Sequence, residues 1–145
     1  MGITYHIDLE KGVTFVLWEG VVTADQFLAH VRHLSSDVNW PPPKRLHLSD
    51  LRRTSLDPSM DEPVIMKAAH IYGEQRDKIA DMKVAIVAGE AFNEAIVFER
   101  VISRYGASVV VFNLLHTACK WLGIDVDEAE SMFRRLRTQS RSETN

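Results

Sequence analysis

Acidic, basic and hydroxyl side chains are concentrated in one short segment, residues 50–62, where the residue types could support chemistry. Paired carboxylates such as Asp50 and Asp57 can perform acid–base work or hold a cation. Asp and Ser side chains also cap helices, whose N-termini favour negative charge, and we favour this capping role over acid–base chemistry. Ligands in open α/β sheets bind at the carboxyl ends of strands, so the segment is still the predicted binding site. Its candidate binding residues are Asp50, Arg52, Arg53, Ser55, Asp57 and Ser59.

The histidines and the single cysteine form a second set of reactive side chains. His30 and His33 lie three residues apart and could share one face of a helix. Two ligands are too few for a closed metal site, so we expect solvated surface histidines. His6 and His47 fall in predicted strands, where a partly buried, hydrogen-bonded pair facing across the sheet is favoured over a catalytic base. Cys119 is predicted to be a packed thiol. We therefore predict no metal site, no cofactor and no catalytic residue.

Motifs that identify common enzymes and nucleic-acid-binding proteins are missing from the sequence. It contains no glycine-rich phosphate loop, no Gly-x-Ser-x-Gly elbow and no His-Glu-x-x-His pair. The net charge of −3 provides no basic field for nucleic acid. The four arginines at positions 134, 135, 137 and 141 lack interleaved aromatic residues and suit the C-terminus of a helix. We therefore expect no nucleic-acid partner.

Length and composition are typical of one globular domain. The chain has 145 residues, close to the roughly 150 of a single domain, with 46% hydrophobic and 26% charged residues. One cysteine cannot form an intramolecular disulfide, and the first residues lack a signal pattern. No apolar run approaches the roughly 18 residues of a membrane span. We expect a cytoplasmic protein with no transmembrane segment.

Alternating hydrophobic patterns indicate an α/β fold. Two runs rich in Ile, Val, Thr and aromatic residues surround a turn that contains Gly12, which predicts an opening β-hairpin. Thr23 and Gln26 form a capping-box pattern before the first helix. Strands are predicted at 3–8, 13–19, 46–51, 82–88 and 108–112, helices at 24–36, 58–81, 92–105 and 114–122, and a polar loop at 52–57. This order predicts a five-stranded, mostly parallel mixed sheet covered by helices.

A further helix is predicted after the last strand and its short helix. Residues 125–137 are acidic at the start and basic at the end, as the helix dipole prefers. We expect 124–137 to form a helical extension of a domain spanning 1–123, and 138–145 to form a flexible tail. The extension carries the apolar residues Val126, Ala129, Met132, Phe133 and Leu136. Such a stripe needs cover from its own sheet or from another chain, and we predict a homodimer with this helix in the interface.

Two segments carry a resemblance to a known family. One runs from Val111-Phe112-Asn113 to Trp121-Leu122-Gly123, and the other is Leu48-Ser49-Asp50-Leu51 followed by Ser55-Leu56-Asp57-Pro58-Ser59. With the hairpin start, they resemble the STAS fold of anti-sigma-factor antagonists and, more narrowly, the bacterial SpoIIAA-like family. The likeness covers residues 3–123. The antagonists carry a phosphorylated serine directly after the Asp; here Pro58 follows Asp57, and Ser59 is the next hydroxyl.

The resemblance implies a non-enzymatic regulatory module that binds a protein partner or a small ligand. A first alternative is a carrier of a lipid-like or other apolar small molecule, because the architecture is also compared with that of CRAL-TRIO lipid carriers. A second alternative is a small enzyme that uses the Asp50/Asp57 loop.

Overall fold

The computed structural model describes the backbone of residues 2–143 and the side chains of residues 2–140. The strands are β1 Gly2–Asp8, β2 Val13–Val22, β3 Leu46–Leu56, β4 Lys83–Ala88 and β5 Ser108–Phe112. The helices are α1 Ala24–Ser35, α2 Glu62–Gly73, α3 Arg76–Ile79, α4 Phe92–Ile102, α5 Leu115–Leu122 and α6 Val126–Glu143, and a 3₁₀ turn, Ser103–Tyr105, follows α4. Within this described range, no helix is both long and apolar enough to cross a membrane.

The five strands form one mixed sheet in the order β1-β2-β3-β4-β5. β1 and β2 are antiparallel, and every later neighbour is parallel. The hairpin turn requires Gly12, which has a φ of 71° and where a Cβ atom would lie 2.5 Å from Lys44 Cβ. The predicted α/β class, the opening hairpin and the mostly parallel five-stranded sheet are confirmed.

Helices cover both faces of the sheet, because successive residues of a strand point to opposite sides. We call the side that bears His47, Ser49 and Leu51 of β3 the front face; α1, α2 and α4 cover it. The side that bears Leu48 and Asp50 is the back face, which α5 and α6 cover. Each face has its own buried apolar cluster.

The first helix begins where its capping box predicts. The backbone N–H of Gln26 donates to Thr23 Oγ1 at 3.3 Å, and the backbone N–H of Thr23 donates to Gln26 Oε1 at 2.9 Å. Two otherwise unpaired N–H groups at the helix start are therefore satisfied. This fixes the entry of α1 over the front face.

The predicted polar loop at 52–57 is wrong, because β3 continues to Leu56. β4 ends beside Leu51, but β2 continues to pair with β3 as far as the Val22–Leu56 pair. The register shifts on the way: Leu17 pairs with Asp50, whereas Glu19 pairs with Arg53. This one-residue bulge reverses the alternation of β3, so Leu56 packs with the front-face cluster.

The predicted end of the last helix at 137 is also wrong, because α6 runs to Glu143. Residues 138–143 are helical instead of a flexible tail, while 144 and 145 lie outside the described residues. The buried stripe continues past the predicted end to Ser140, which is 6% exposed. The predicted end followed the change from apolar to polar residues in the sequence, and α6 continues beyond that change.

The apolar stripe of α6 packs on the sheet of its own chain. Ala129, Met132, Phe133 and Leu136 are all buried in the back-face cluster, together with residues of β2, β3, β4 and α5. Residues 124–137 therefore share the core of residues 1–123 instead of extending from it. The stripe therefore has cover within its own chain and does not require a second one. The homodimer, with this helix in the interface, stays a prediction.

Candidate functional site

The candidate residues Asp50 and Arg52 form a buried ion pair on the back face. Asp50 is 1% exposed, and its two oxygens accept from Nε and Nη2 of Arg52 at 2.9 Å each. Arg52 also lies 3.4 Å from Glu130 of α6. The hydrogen bond and charge of Asp50, together with Glu130, raise the pKa of Arg52 above its ordinary value. Through Arg52, these contacts link β3 to α6.

Asp57 and Ser59 form a turn at the far end of β3. Asp57 Oδ2 accepts from the Ser59 backbone N–H at 2.9 Å, and its hydrogen bonds with Ser59 lower the pKa of Asp57. Ser59 Oγ accepts from the backbone N–H of Ala24 at 3.0 Å, at the start of α1. The expectation that Asp57 and Ser59 cap the helix after this segment is therefore wrong, because the N-cap of α2 is Asp61, whose side chain accepts from the backbone N–H of Val64 at 3.1 Å.

The candidate residues therefore do not form one site. Asp50 and Leu56 are six residues apart on a strand that rises about 3.3 Å per residue, so Asp57 lies about 20 Å from Asp50. Between them, Arg53 is exposed and Ser55 is half-buried. A site that uses both carboxylates is not assembled.

A cavity of about 90 Å³ lies between the front face and the helices α1, α2 and α4, and we call it the front cavity. Its wall is mainly apolar. The aromatic side chains in the wall are Trp18, Phe27, Trp40, Tyr72 and Phe98. The polar side chains described next come from four separate places in the sequence.

Trp40 reaches the front cavity from the segment after α1, where it precedes three prolines at positions 41–43. It is 3% exposed, and its ring packs against Tyr72 with centroids 5.5 Å apart. The indole Nε1 atom is buried, and no described residue hydrogen-bonds to it. An N–H donor therefore lies within the wall without an acceptor.

His47 and Ser49 reach the front cavity from β3, where a spacing of two puts them on one face. His47 Nε2 and Ser49 Oγ share a hydrogen bond of 3.0 Å. Burial lowers the pKa of His47 to about 4, so the imidazole is neutral at physiological pH. Its Nδ1 atom is buried and finds no partner among the described residues.

His30 of α1 does not lie where the sequence predicts. It was expected on the surface with His33, but it is half-buried and lines the front cavity, while His33 is exposed. Burial, with smaller effects of His47 and His33, lowers the pKa of His30 to about 3.

The expected pairing of His6 with His47 is also wrong. His6 is exposed and pairs with Phe15 of the back-face cluster, so it lies on the other side of the sheet.

Glu94 of α4 completes the polar side chains of the front cavity. Its Oε2 atom is buried and has no hydrogen-bond partner in the described part of the chain. Buried polar groups are normally paired, and an unpaired one costs about 1–3 kcal/mol. Four described side-chain atoms are buried and unpaired in this way, and Trp40, His47 and Glu94 supply three of them. All three belong to the wall of the front cavity.

A second depression lies by α5 and the start of α6. Its volume is about 330 Å³, and His116, Cys119 and Asp125 are among its lining residues. Cys119 is 1% exposed, and burial raises its pKa to about 11, which confirms the predicted packed thiol. Across residues 2–140, no three His, Cys, Asp or Glu side chains are grouped closely enough to hold a metal ion.

An apolar pocket with a few convergent polar groups is typical of a small-molecule site. The geometry thus defines an α/β protein with a five-stranded mixed sheet and such a pocket on its front face. Comparison of the chain with protein-family models, curated proteins and solved structures finds no match. The resemblance to the SpoIIAA-like family therefore stays a prediction.

Proposed function

We propose that this chain is a non-enzymatic module that binds a small, mainly apolar molecule in the front cavity. The observation that carries this function is that three residues of one apolar wall each have a buried polar atom without a partner among the described residues: Trp40 Nε1, His47 Nδ1 and Glu94 Oε2. A small turn of these side chains toward the cavity would let a ligand hydrogen-bond to them and remove their desolvation cost, while its apolar body replaces contacts with water. The order of strands and helices supports a STAS-type, SpoIIAA-like classification, and the single cysteine supports a cytoplasmic location.

The size of the front cavity favours a small ligand over a long acyl chain. A buried water needs about 10–15 Å³ of such space, and an engineered cavity of about 150 Å³ holds benzene. The front cavity, at about 90 Å³, is larger than the first of these volumes and smaller than the second. Among the alternatives inferred from the sequence, a carrier of a compact apolar molecule agrees with this volume better than a lipid carrier does.

The enzyme alternative depends on Asp50 and Asp57, which lie at opposite ends of the extended part of β3. Both oxygens of Asp50 are already engaged by Arg52. His47 and Ser49 resemble the base and nucleophile of a hydrolase, but such a histidine needs a group that orients its other nitrogen. His47 Nδ1 has no such partner in the described chain. These contacts support binding without catalysis.

Binding can be tested with benzyl alcohol, followed through the indole N–H signals in a ¹H–¹⁵N correlation spectrum. The chain has three tryptophans, and Trp18 and Trp40 line the front cavity while Trp121 packs on the back-face cluster. We expect saturable shifts for Trp18 and Trp40, with the Trp40 proton moving downfield as it gains an acceptor. The Trp121 signal should stay in place.

Matched variants make this test specific. Ala95→Leu adds bulk to the wall of the front cavity, whereas Ala29→Leu makes the same change at an exposed position of α1. We expect the first to abolish the shifts and the second to leave them unchanged. Ala91→Leu, also in the wall, replaces Ala95→Leu if that variant does not fold. The binding function would be wrong if the wild type gave no saturable shift of Trp18 and Trp40, or if filling the wall left the shifts intact.

A further inference from the structure

The described wall of the front cavity carries an acidic side chain but no basic one. Glu94 is the one acidic side chain among its described lining residues, and none of them is Lys or Arg. The two imidazoles of the wall, His30 and His47, have pKa values lowered by burial and are neutral at physiological pH. No described residue forms an ion pair with Glu94 within the salt-bridge distance of 4.0 Å. Among the described residues, Glu94 therefore has no basic side chain within ion-pair distance.

Glu94 is one of the few lining residues of the front cavity that are not fully buried. Most of the wall is buried, and the half-buried lining residues are His30, Leu56, Glu94 and Phe98. Although Glu94 as a whole is half-buried, its unpaired Oε2 atom is inaccessible to solvent. A ligand whose apolar part fills the interior can thus place a polar head beside the half-buried side chain of Glu94.

The aromatic side chains of the wall also favour a positively charged ligand. Ring faces attract cations, and cages of Trp, Tyr and Phe recognise ammonium groups. Trp18, Trp40, Tyr72 and Phe98 all contribute to the wall. An anionic ligand would meet these rings and Glu94 with no basic side chain to balance its charge.

Glu94 also lies in the first turn of α4, where the helix dipole alone favours a carboxylate. That explains a glutamate at this position but not the burial of its unpaired oxygen. It also does not explain the two other unpaired polar atoms, on Trp40 and His47, which are 3% and 9% exposed. The helix dipole therefore does not account for the three residues of the wall together.

On the basis of the binding function above, we propose that the ligand is a small organic cation: a protonated amine with a compact apolar body, whose ammonium group pairs with Glu94. The body lies among Trp18, Trp40 and Tyr72. The indole N–H of Trp40 donates to an oxygen of the ligand where one is present. Neutral molecules of the same shape bind more weakly, and carboxylates of the same shape are rejected.

Three probes of similar shape separate these cases: benzylamine, benzyl alcohol and benzoate, which are positive, neutral and negative at pH 7. Their dissociation constants are measured from the Trp18 and Trp40 indole signals of the full chain. We expect benzylamine to bind at least tenfold more tightly than benzyl alcohol, and benzoate to give no saturable shift. Binding of all three with equal affinity would overturn the cation preference.

The variant Glu94→Gln should remove the preference for the cation, so that benzylamine and benzyl alcohol bind with equal affinity. Glu99→Gln makes the same change of charge on the same helix outside the wall, and it should preserve the preference. If both variants lose the preference for benzylamine equally, the preference comes from net charge and the role of Glu94 is wrong. If Glu94→Gln keeps the preference for benzylamine, the pairing with Glu94 is also wrong. If none of the probes shifts the indole signals of the wild type, the binding function itself fails, which is a separate outcome.

Discussion

Replacing Arg52 with Ala should lower the free energy of unfolding by about 3 kcal/mol, at the lower end of the range for breaking a buried ion pair. Asp50 is 1% exposed and would keep a buried charge without its bidentate partner, while the side chain of Arg52 is 31% exposed, which limits the loss. Chemical denaturation of the wild type and the variant measures the difference.

Two controls distinguish a buried ion pair from a general effect of arginine removal. Arg53→Ala changes the exposed neighbour and should alter stability by no more than about 0.5 kcal/mol. The double variant Asp50→Leu/Arg52→Met should recover much of the loss, since buried ion pairs are often replaceable by apolar residues. A loss below about 1 kcal/mol for Arg52→Ala would mean that Asp50 is not held as described.

Replacing Phe133 with Ala should lower the free energy of unfolding by about 3–5 kcal/mol, as for other large buried aromatic residues. Phe133 is 0% exposed, and its ring packs edge-on against Phe15 with centroids 5.9 Å apart. Ser131→Ala changes an exposed position of the same helix and should be nearly neutral. Thermal and chemical denaturation check both variants. A melting temperature for Phe133→Ala close to that of the wild type would mean that α6 does not complete the back-face core.

The parts of the fold that local patterns encode were predictable from the sequence. The turn at Gly12 and the capping box at Thr23 and Gln26 each involve residues close together in the chain, so the hairpin and the first helix followed from them. The apolar stripe of α6 was visible for the same reason. The surface against which this stripe packs was not predictable, because an apolar stripe can pack equally well on its own sheet or on a second chain.

The extension of β3 escaped prediction because its stabilising contacts are not local. Residues 52–55 are polar, and their strand is supported by pairing with β2 beyond the end of β4. The bulge after Asp50 then shifts the alternation by one residue, which no period-two pattern anticipates. The candidate residues were accordingly divided between a buried ion pair and a turn at the end of β3.

The front cavity could not be found from the sequence. Trp40, His47 and Glu94 come from a linker, a strand and a helix, and only the packing of three helices on the sheet brings them together. The unpaired state of their polar atoms is a property of the folded chain. The one local signal was the spacing of His47 and Ser49, which put both on one face of β3.

The measurement that tests the central claim most directly is the set of intermolecular nuclear Overhauser effects between bound benzyl alcohol and the protein. Binding in the front cavity predicts contacts from the ring and methylene protons of the probe to Trp18, Trp40 and Phe98. Contacts to Phe112 and Trp121, whose rings pack together 5.8 Å apart beside the back-face cluster, would contradict it. The absence of any contact to Trp18, Trp40 and Phe98 at saturating probe would contradict it equally.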